Sequence, residues 1–221
     1  FLSVFGTEAA QKEQGVREEL TYMKRMIFAT GNENKMVEIR EILGDLPLEI
    51  LSMKQAGIAA DIVEDGKTFE ENALIKAREV CKLAGEMVMA DDSGLEIDYL
   101  NGEPGIYSAR YMGEDTSYRI KNQNLIDRLQ GVPDEQRTAR FVCAIAAAFP
   151  DGREMVVRGT IEGRIGYEER GENGFGYDPI FYLPERGMST AELSPKDKNS
   201  ISHRGNALRK MKELLEKEAV L

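Results

Sequence analysis

Residues 26–46 read MIFATGNENKMVEIREILGDL and pass from an apolar run, through a polar turn, into an amphipathic repeat. The first four residues form a short apolar run that is typical of a buried strand. Met36, Ile39 and Leu43 then recur at the i, i+3 and i+7 spacing of one helical face. The order strand, turn, helix predicts an α/β fold.

The same alternation continues along the chain. Thr68 and Glu71 form a capping-box pattern ahead of a second amphipathic helix, which Gly85 ends. MVMA at 87–90 is typical of a short buried strand, and residues 116–130 are typical of a helix.

A tight turn then joins two apolar segments. FVCAIAAAF at 141–149 and REMVVRGTIEGRI at 153–165 flank Pro-Asp-Gly, a spacing that predicts two antiparallel strands. Because the earlier strand–turn–helix unit favours parallel pairing, the whole sheet is expected to be mixed. A last helix is expected from about Gly205.

The composition excludes several classes of protein. A formal net charge of −10 argues against a nucleic-acid partner, because nucleic-acid-binding domains present a basic face. No apolar run approaches the roughly 20 residues of a membrane-spanning helix, so no membrane partner is expected. The two cysteines, Cys81 and Cys143, lie in apolar stretches, which favours a reducing, cytoplasmic compartment.

The N-terminal residues differ from the rest. Residues 1–22 are mixed and charged and lack the basic start and apolar core of a signal peptide. We expect them to form an extension outside the core, and we expect residues 23–221 to form one domain.

The first candidate site is TGNENK at 30–35, between the expected strand and helix. Backbone N–H groups and the positive end of the helix dipole would face a ligand there, with Lys35 alongside, which favours an anion such as phosphate. Alternatively, Asn32 or Asn34 only caps the helix. The turn lacks the spacing of a Walker loop.

The second candidate site is ADDSG at 90–94. Asp91 and Asp92 are expected on a turn after a strand, where adjacent carboxylates repel one another unless a cation or hydrogen bonds compensate. Magnesium prefers one or two carboxylates plus phosphate oxygens, so the pair favours magnesium chemistry on a phosphorylated substrate. An Asx turn with a solvated second acid is the alternative. Glu64 and Asp65 are further candidate acids, or partners of a helix dipole.

A third segment suits a base or a sugar. GENGFGYDP at 171–179 combines three glycines, two aromatic residues and Asp178, so that backbone can approach a flat ligand while a ring stacks on it. The alternative is an ordinary turn with packed aromatic residues.

A fourth segment is basic. SPKDKNSISHRG at 194–205 concentrates Lys196, Lys198, His203 and Arg204 in an expected loop that leads to the last helix. Recognition of phosphate or of a base is one interpretation, and a solvated surface is the other. Since the chain has one histidine, it cannot build a multi-histidine zinc site.

Taken in order, TGNENK, FEENALIKA, ADDSGLEID with PGIYSARY, GFGYDPIF and SHRGNALR resemble the motifs of the inosine triphosphate pyrophosphatase family. The similarity runs from about residue 27 to residue 215. It implies a long, twisted mixed β-sheet flanked by helices, in two lobes with a central substrate cleft. It also implies Mg²⁺ as cofactor, a homodimer, and a house-cleaning hydrolysis of ITP, dITP and XTP to the monophosphate and pyrophosphate.

The resemblance also implies roles for individual residues. The family's phosphate-binding turn falls on Thr30, Gly31, Asn32, Glu33, Asn34 and Lys35. The base that activates water, also a metal ligand, falls on Asp92, and Ser93 beside it contacts substrate. The other substrate contacts fall on Phe175, Gly176, Tyr177, Asp178, Lys198, His203 and Arg204. Glu64 falls at a second metal ligand, although Glu64-Asp65-Gly66 stands where many relatives carry two glutamates before Thr-Gly.

Two rival functions would use some of the same motifs. A non-catalytic regulator that binds purine nucleotides would need the phosphate turn but no acid poised on a metal. A phosphotransfer enzyme would release no pyrophosphate and would require an acceptor. The full motif set favours hydrolysis, in which water activated by Asp92 attacks the α–β linkage while Lys35, Lys198 and Arg204 offset phosphate charge.

Overall fold

The computed structural model describes residues 24–218, so the expected extension of residues 1–22 lies outside the described residues. Its strands are β1 (Lys24–Phe28), β2 (Leu48–Ser52), β3 (Met87–Ile97), β4 (Thr138–Ala148), β5 (Glu154–Ile165), β6 (Phe181–Leu183) and β7 (Met188–Ser189). Its α-helices are α1 (Glu33–Leu43), α2 (Phe69–Ala84), α3 (Tyr118–Arg128), α4 (Pro195–Ile201) and α5 (His203–Lys217). In this part of the chain, no helix combines the length and apolarity needed to cross a membrane.

The strands form one mixed sheet, as the sequence predicts. Their order is β2-β1-β3-β4-β5-β6-β7, with β1 parallel to β2 and β3. Every later pair is antiparallel, and the ladder between β4 and β5 runs from Thr138 opposite Arg164 to Ala148 opposite Glu154. The predicted strand pair is therefore confirmed, with β4 beginning three residues earlier than expected.

Polar caps set where the two N-terminal helices begin. The side chain of Asn32 accepts hydrogen bonds from the amides of Asn34 and Lys35, at 3.0 and 3.3 Å, and so starts α1 directly after β1. Thr68 accepts from the amide of Glu71 at 3.1 Å and starts α2. The carboxylate of Glu71 reaches one residue beyond the cap and accepts from the Lys67 amide at 2.6 Å.

The prediction that a strand ends at Ala90 and delivers two aspartates on a turn is wrong. β3 continues to Ile97 because β4 pairs with it throughout, with Asp91 opposite Ile145 and Asp92 opposite Ala144. Successive side chains of a strand point to opposite faces, so the two carboxylates diverge. Their mutual repulsion is relieved by this divergence and by separate partners on the two faces.

Three apolar clusters cover the sheet. One joins α1 and α5 to one face of the central strands, through residues such as Met36, Leu208 and Ile145. A second joins α2 to the opposite face, through residues such as Ala77. A third lies at the start of β4 and the end of β5, which is the distal half of this strand pair, and includes Leu125 of α3. The third cluster corresponds to the second lobe that the family resemblance implies, and a cleft runs between this cluster and the cluster under α1 and α5.

Candidate active site

The turn at residues 30–35 stands at one side of the cleft. The hydroxyl of Thr30 accepts a hydrogen bond from the Asn32 amide at 3.1 Å, and Asn32 in turn caps α1. The helix-cap interpretation of Asn32 is therefore correct, and the same cap leaves the positive end of α1 at the cleft. The ammonium group of Lys35 extends from the first turn of α1 to Asp91, with 2.8 Å between Nζ and Oδ2.

Asp91 lies on the face of β3 that α1 and α5 cover. Besides Lys35, its Oδ2 accepts from the hydroxyl of Ser93 at 2.7 Å and lies 3.5 Å from Nε of Arg204. Burial alone would raise the pKa of Asp91, but the charges of Lys35 and Arg204 outweigh it and hold the pKa far below its usual range. Asp91 is therefore ionised at neutral pH, and it fixes two cations at the cleft.

Asp92 lies on the opposite face of β3, toward α2. Its carboxylate accepts from the side-chain amide of Asn72 at 3.1 Å and from the Ser93 amide at 3.1 Å. Nζ of Lys76 is 3.9 Å from Oδ1 of Asp92 and 3.0 Å from a carboxylate oxygen of Glu64. Burial raises the pKa of Asp92 above its ordinary value, while the charge of Lys76 opposes the rise. A carboxylate with a raised pKa is a better proton acceptor than an exposed one.

Asp92 and Glu64 are the two carboxylates of the site that could bind Mg²⁺. No cluster of three or more histidine, cysteine, aspartate and glutamate side chains suited to a metal occurs within residues 24–218. Magnesium needs fewer protein ligands, since one or two carboxylates and substrate phosphate oxygens suffice. The Lys76 ammonium lies next to both carboxylates, which shows that this place favours positive charge. The donor chemistry fits Mg²⁺.

The basic segment near the C-terminus lies opposite α1, and it forms α4 and the start of α5 rather than the predicted loop, because Ser194 and Ser202 cap the two helices. Nζ of Lys198 is 2.7 Å from a carboxylate oxygen of Asp178 and 3.3 Å from one of Glu38, and Arg204 forms a second ion pair with Glu38. Both cations are buried, at 5% and 2% relative exposure. Glu38 was not predicted from the sequence, although its position one turn after Lys35 places it on the same face of α1.

Aromatic rings form another part of the cleft. The ring of His203 stacks on Phe141, with 4.9 Å between centroids and 23° between planes. Lys198 and Arg204 lie over the ring of Phe175, at 4.9 and 5.7 Å from its centroid. A flat ring system could stack among these residues.

The structure brings most of the predicted substrate-binding residues together in one cleft. Those that line it are Asn32, Lys35, Ser93, Phe175, Gly176, Tyr177, Asp178, Lys198, His203 and Arg204. Thr30, Gly31, Glu33 and Asn34 belong to the turn beside the cleft but do not line it, and Asp92 and Glu64 lie toward α2. Further residues of the site that the sequence did not reveal are Asn72, Lys76, Ser108, Ala109, Tyr118 and Phe141.

His203 is expected to make the protein less stable in mild acid. Burial, followed by the charges of Arg204 and Lys198, lowers the pKa of His203 well below its ordinary 6.5, so the folded state stays neutral where the unfolded state binds a proton. Lowering the pH from 7.5 to 5.5 should therefore cost about 1.4 kcal/mol of unfolding free energy. Urea unfolding at both pH values measures the change.

A His203→Gln variant is the comparison for that measurement. This is the only histidine in the chain, so the variant should lose about 1.4 kcal/mol of pH dependence relative to the parent. Carboxylates titrate alike in both proteins and cancel in the difference. Equal pH dependence in the two proteins would show that folded His203 protonates as readily as the unfolded one.

Comparison with known proteins places this arrangement in a family. The model of the Ham1 family matches residues 26–214. A dITP/XTP pyrophosphatase of Clostridium perfringens is 50% identical over 199 residues, which cover 87% of this chain and 98% of that protein. A solved Ham1 protein of Staphylococcus aureus has a TM-score of 0.80 at 42% identity, over 88% of this chain and 100% of that one. A solved HAM1 protein of Coxiella burnetii has a TM-score of 0.81 at 41% identity, over the same shares.

These matches confirm the resemblance that the ordered motifs indicated. They run from β1 to α5 and include every segment that contributes a side chain to the cleft. The chain belongs to the Ham1 family.

Proposed function

We propose that this chain hydrolyses ITP, dITP and XTP to the nucleoside monophosphate and pyrophosphate, and so removes these damaged purines from the nucleotide pool. One observation carries the proposal. Asp92, a buried carboxylate whose pKa is raised, lies on β3 next to Ser93, which lines a cleft that combines cations with stacked aromatic rings. The relatives that carry the name dITP/XTP pyrophosphatase support this choice of substrate. Residues 23–221 would form the single catalytic domain.

The cations explain how a triphosphate is held. Lys35, Lys198 and Arg204 each line the cleft, and each is fixed by a buried or half-buried carboxylate. Because these cations are already oriented, they stabilise charge on the phosphates without rearranging. The N-terminal end of α1 adds backbone N–H groups to the same side.

Asp92 is the proposed general base. It accepts a proton from a water molecule whose oxygen bonds to the α-phosphorus, while the bond from that phosphorus to the bridging oxygen of the β-phosphate breaks and pyrophosphate leaves. Asp92 and Glu64 would hold Mg²⁺, which when bound supplies positive charge to the triphosphate. Lys76 keeps Asp92 available as an anion, and Asn72 orients it.

The base pocket favours a 6-oxo purine. Arg204 is directed at the phosphates, so the hydrogen-bond donor that faces O6 of the base comes from neutral His203, which carries one donor and one acceptor. A 6-oxo group accepts from such donors, whereas the 6-amino group of adenine would leave a buried donor without a partner. The ring of Phe175 supplies a stacking surface for either base, so selectivity comes from the polar groups.

Two further features belong to the proposal. The chain would act as a homodimer, because Tyr99, Tyr107, Met112 and Ile120 expose large apolar side chains within one segment, at 50, 57, 48 and 54%. It would act in the cytoplasm, where the nucleotide pool is, and both cysteines are free and buried, as a reducing compartment favours.

The test is pyrophosphate release from ITP, XTP, dITP, ATP and GTP by the purified chain, with and without Mg²⁺. We expect metal-dependent release that strongly favours ITP, dITP and XTP. Release of orthophosphate would instead indicate a phosphatase. Tight binding of ITP without release would indicate the alternative of a non-catalytic nucleotide-binding regulator.

A further inference from the structure

Helix α3 presents an aromatic side chain to the cleft that the proposed chemistry does not use. Tyr118, its first residue, lines the cleft and is 38% exposed. Its ring meets the ring of Tyr177 edge to face, with 5.2 Å between centroids and 89° between planes. The backbone of Gly176 lies so near that a Cβ there would be 3.5 Å from Cε1 of Tyr118. Tyr118 therefore extends the aromatic wall of the cleft beyond the predicted residues.

A buried lysine stands behind this ring. Lys121 is 1% exposed, and its ammonium group donates to the carbonyl of Ala109 at 2.7 Å. The same ammonium lies 4.9 Å from the centroid of the Tyr118 ring. It forms no ion pair with a carboxylate among residues 24–218. Burial lowers the pKa of Lys121 while the charge of Glu114 opposes this change, so the Ala109 carbonyl and the Tyr118 ring are the direct contacts that hold the ammonium in place.

The next residue holds the other side of the cleft. Asn122 is 1% exposed, and its side-chain amide donates to Glu169 at 2.7 Å and to the carbonyl of Gly176 at 3.3 Å. Ala109 and Gly176 both line the cleft, and they lie on separate loops. Two consecutive residues of α3 thus tie two loops of the cleft to one rigid helix.

We propose that Tyr118 contacts the nucleobase of the substrate and that Lys121 is the positioning residue that holds the Tyr118 ring and Ala109 in place. The proposal rests on the function proposed above and adds a binding residue to that same cleft. A purine stacked on Phe175 would meet Tyr118 with its edge or face, and Lys121 would fix the width of the pocket through Ala109. Phosphate binding at Lys35 would not depend on either residue.

The base contact of Tyr118 and the positioning role of Lys121 predict a specific kinetic pattern. Tyr118→Ala should raise the KM for ITP about 3- to 10-fold, the effect of losing one aromatic contact, and leave kcat within about twofold. Tyr118→Phe keeps the ring and should behave as the parent. The inhibition constant of inorganic tripolyphosphate, which has no base, should be unchanged in both variants.

Lys121→Met tests the positioning role, and Lys210→Met is its matched control. Lys210 also donates to a backbone carbonyl, that of Arg158 at 2.8 Å, but it is exposed and does not line the cleft. We expect Lys121→Met to raise the KM for ITP with little change in kcat or in tripolyphosphate inhibition. Its effect should not add to that of Tyr118→Ala in the double variant, because both act on one ring. If Lys121→Met does not fold, Lys121→Gln is measured instead.

Several outcomes would overturn this inference. A KM for ITP within about twofold of the parent in Tyr118→Ala would show that the ring does not contact the base. A Lys121 variant that loses kcat and tripolyphosphate affinity together would show a purely structural role. If the parent releases no pyrophosphate from any purine triphosphate, the proposed function itself fails, whereas an active parent with silent Tyr118 variants refutes only the present inference.

Discussion

Replacing Asp92 with asparagine is expected to lower the kcat for ITP by about 10²- to 10⁴-fold, the range that a general base contributes. The amide has nearly the same volume and can still accept a hydrogen bond, so the fold of β3 should persist. It cannot take a proton from water, and it is a poorer ligand for Mg²⁺. Pyrophosphate release at saturating ITP and Mg²⁺ measures the loss.

The control for this variant is Asp151→Asn. Asp151 lies in the turn between β4 and β5, where it is exposed and pairs with Arg153. This control should keep the kcat of the parent, because the same chemical change occurs away from the cleft. If Asp92→Asn kept full turnover, the base would be another group, and the neighbouring Glu64 would be the next to replace.

The elements that the sequence predicted best are those whose signal is local. The helix around Met36, Ile39 and Leu43 shows its period within a few turns, and its buried residues are those three. Gly85 ends α2 in the left-handed conformation, at a φ of 66°, as a helix-ending glycine should. The two-residue strand β7 and the three-residue strand β6 are too short to show any period, and the sequence did not reveal them.

The extension of β3 shows where local signals fail. Residues 91–94 are polar enough to resemble a turn, yet β4 supplies a partner for each of them. That pairing joins segments about 50 residues apart, and no window of sequence contains it. The prediction placed both aspartates at one site because a turn would allow it, whereas the strand sends Asp91 toward Arg204 and Asp92 toward Lys76.

Contacts between distant segments also explain why the sequence did not reveal some residues of the site. Glu38 enters the site only through its ion pairs with Lys198 and Arg204, which lie 160 and 166 residues away in sequence. The spacing of Asn72 and Lys76, four residues apart on α2, was a signal that could have been used. It identifies one face of the helix, but only the packed structure shows that this face meets Asp92.

Replacing Arg137 with methionine is expected to destabilise the fold by about 3 to 5 kcal/mol, because three carbonyl oxygens lose hydrogen bonds to a charged donor, each worth about 1 to 3 kcal/mol. Arg137 is 1% exposed and donates to three carbonyl oxygens, those of Ile165 at 2.8 Å, Leu129 at 2.7 Å and Gly166 at 2.7 Å. Its guanidinium also stacks on Tyr167, 4.2 Å from the ring centroid. Methionine fills much of the volume but cannot donate, so all three carbonyls lose a charged donor, and among the described residues only that of Leu129 keeps a backbone donor, the Val132 amide at 3.1 Å.

The size of this effect follows from what Arg137 joins. Its three bonds tie the residue after α3 to the end of β5, so one buried side chain joins these two parts of the distal lobe. Urea unfolding followed by circular dichroism should show the loss, and the melting temperature should fall by roughly 10 °C. Arg170→Met, which removes an exposed guanidinium paired with Glu168, should leave the unfolding midpoint unchanged. A shift for Arg137→Met as small as that of this control would mean that water satisfies the three carbonyls.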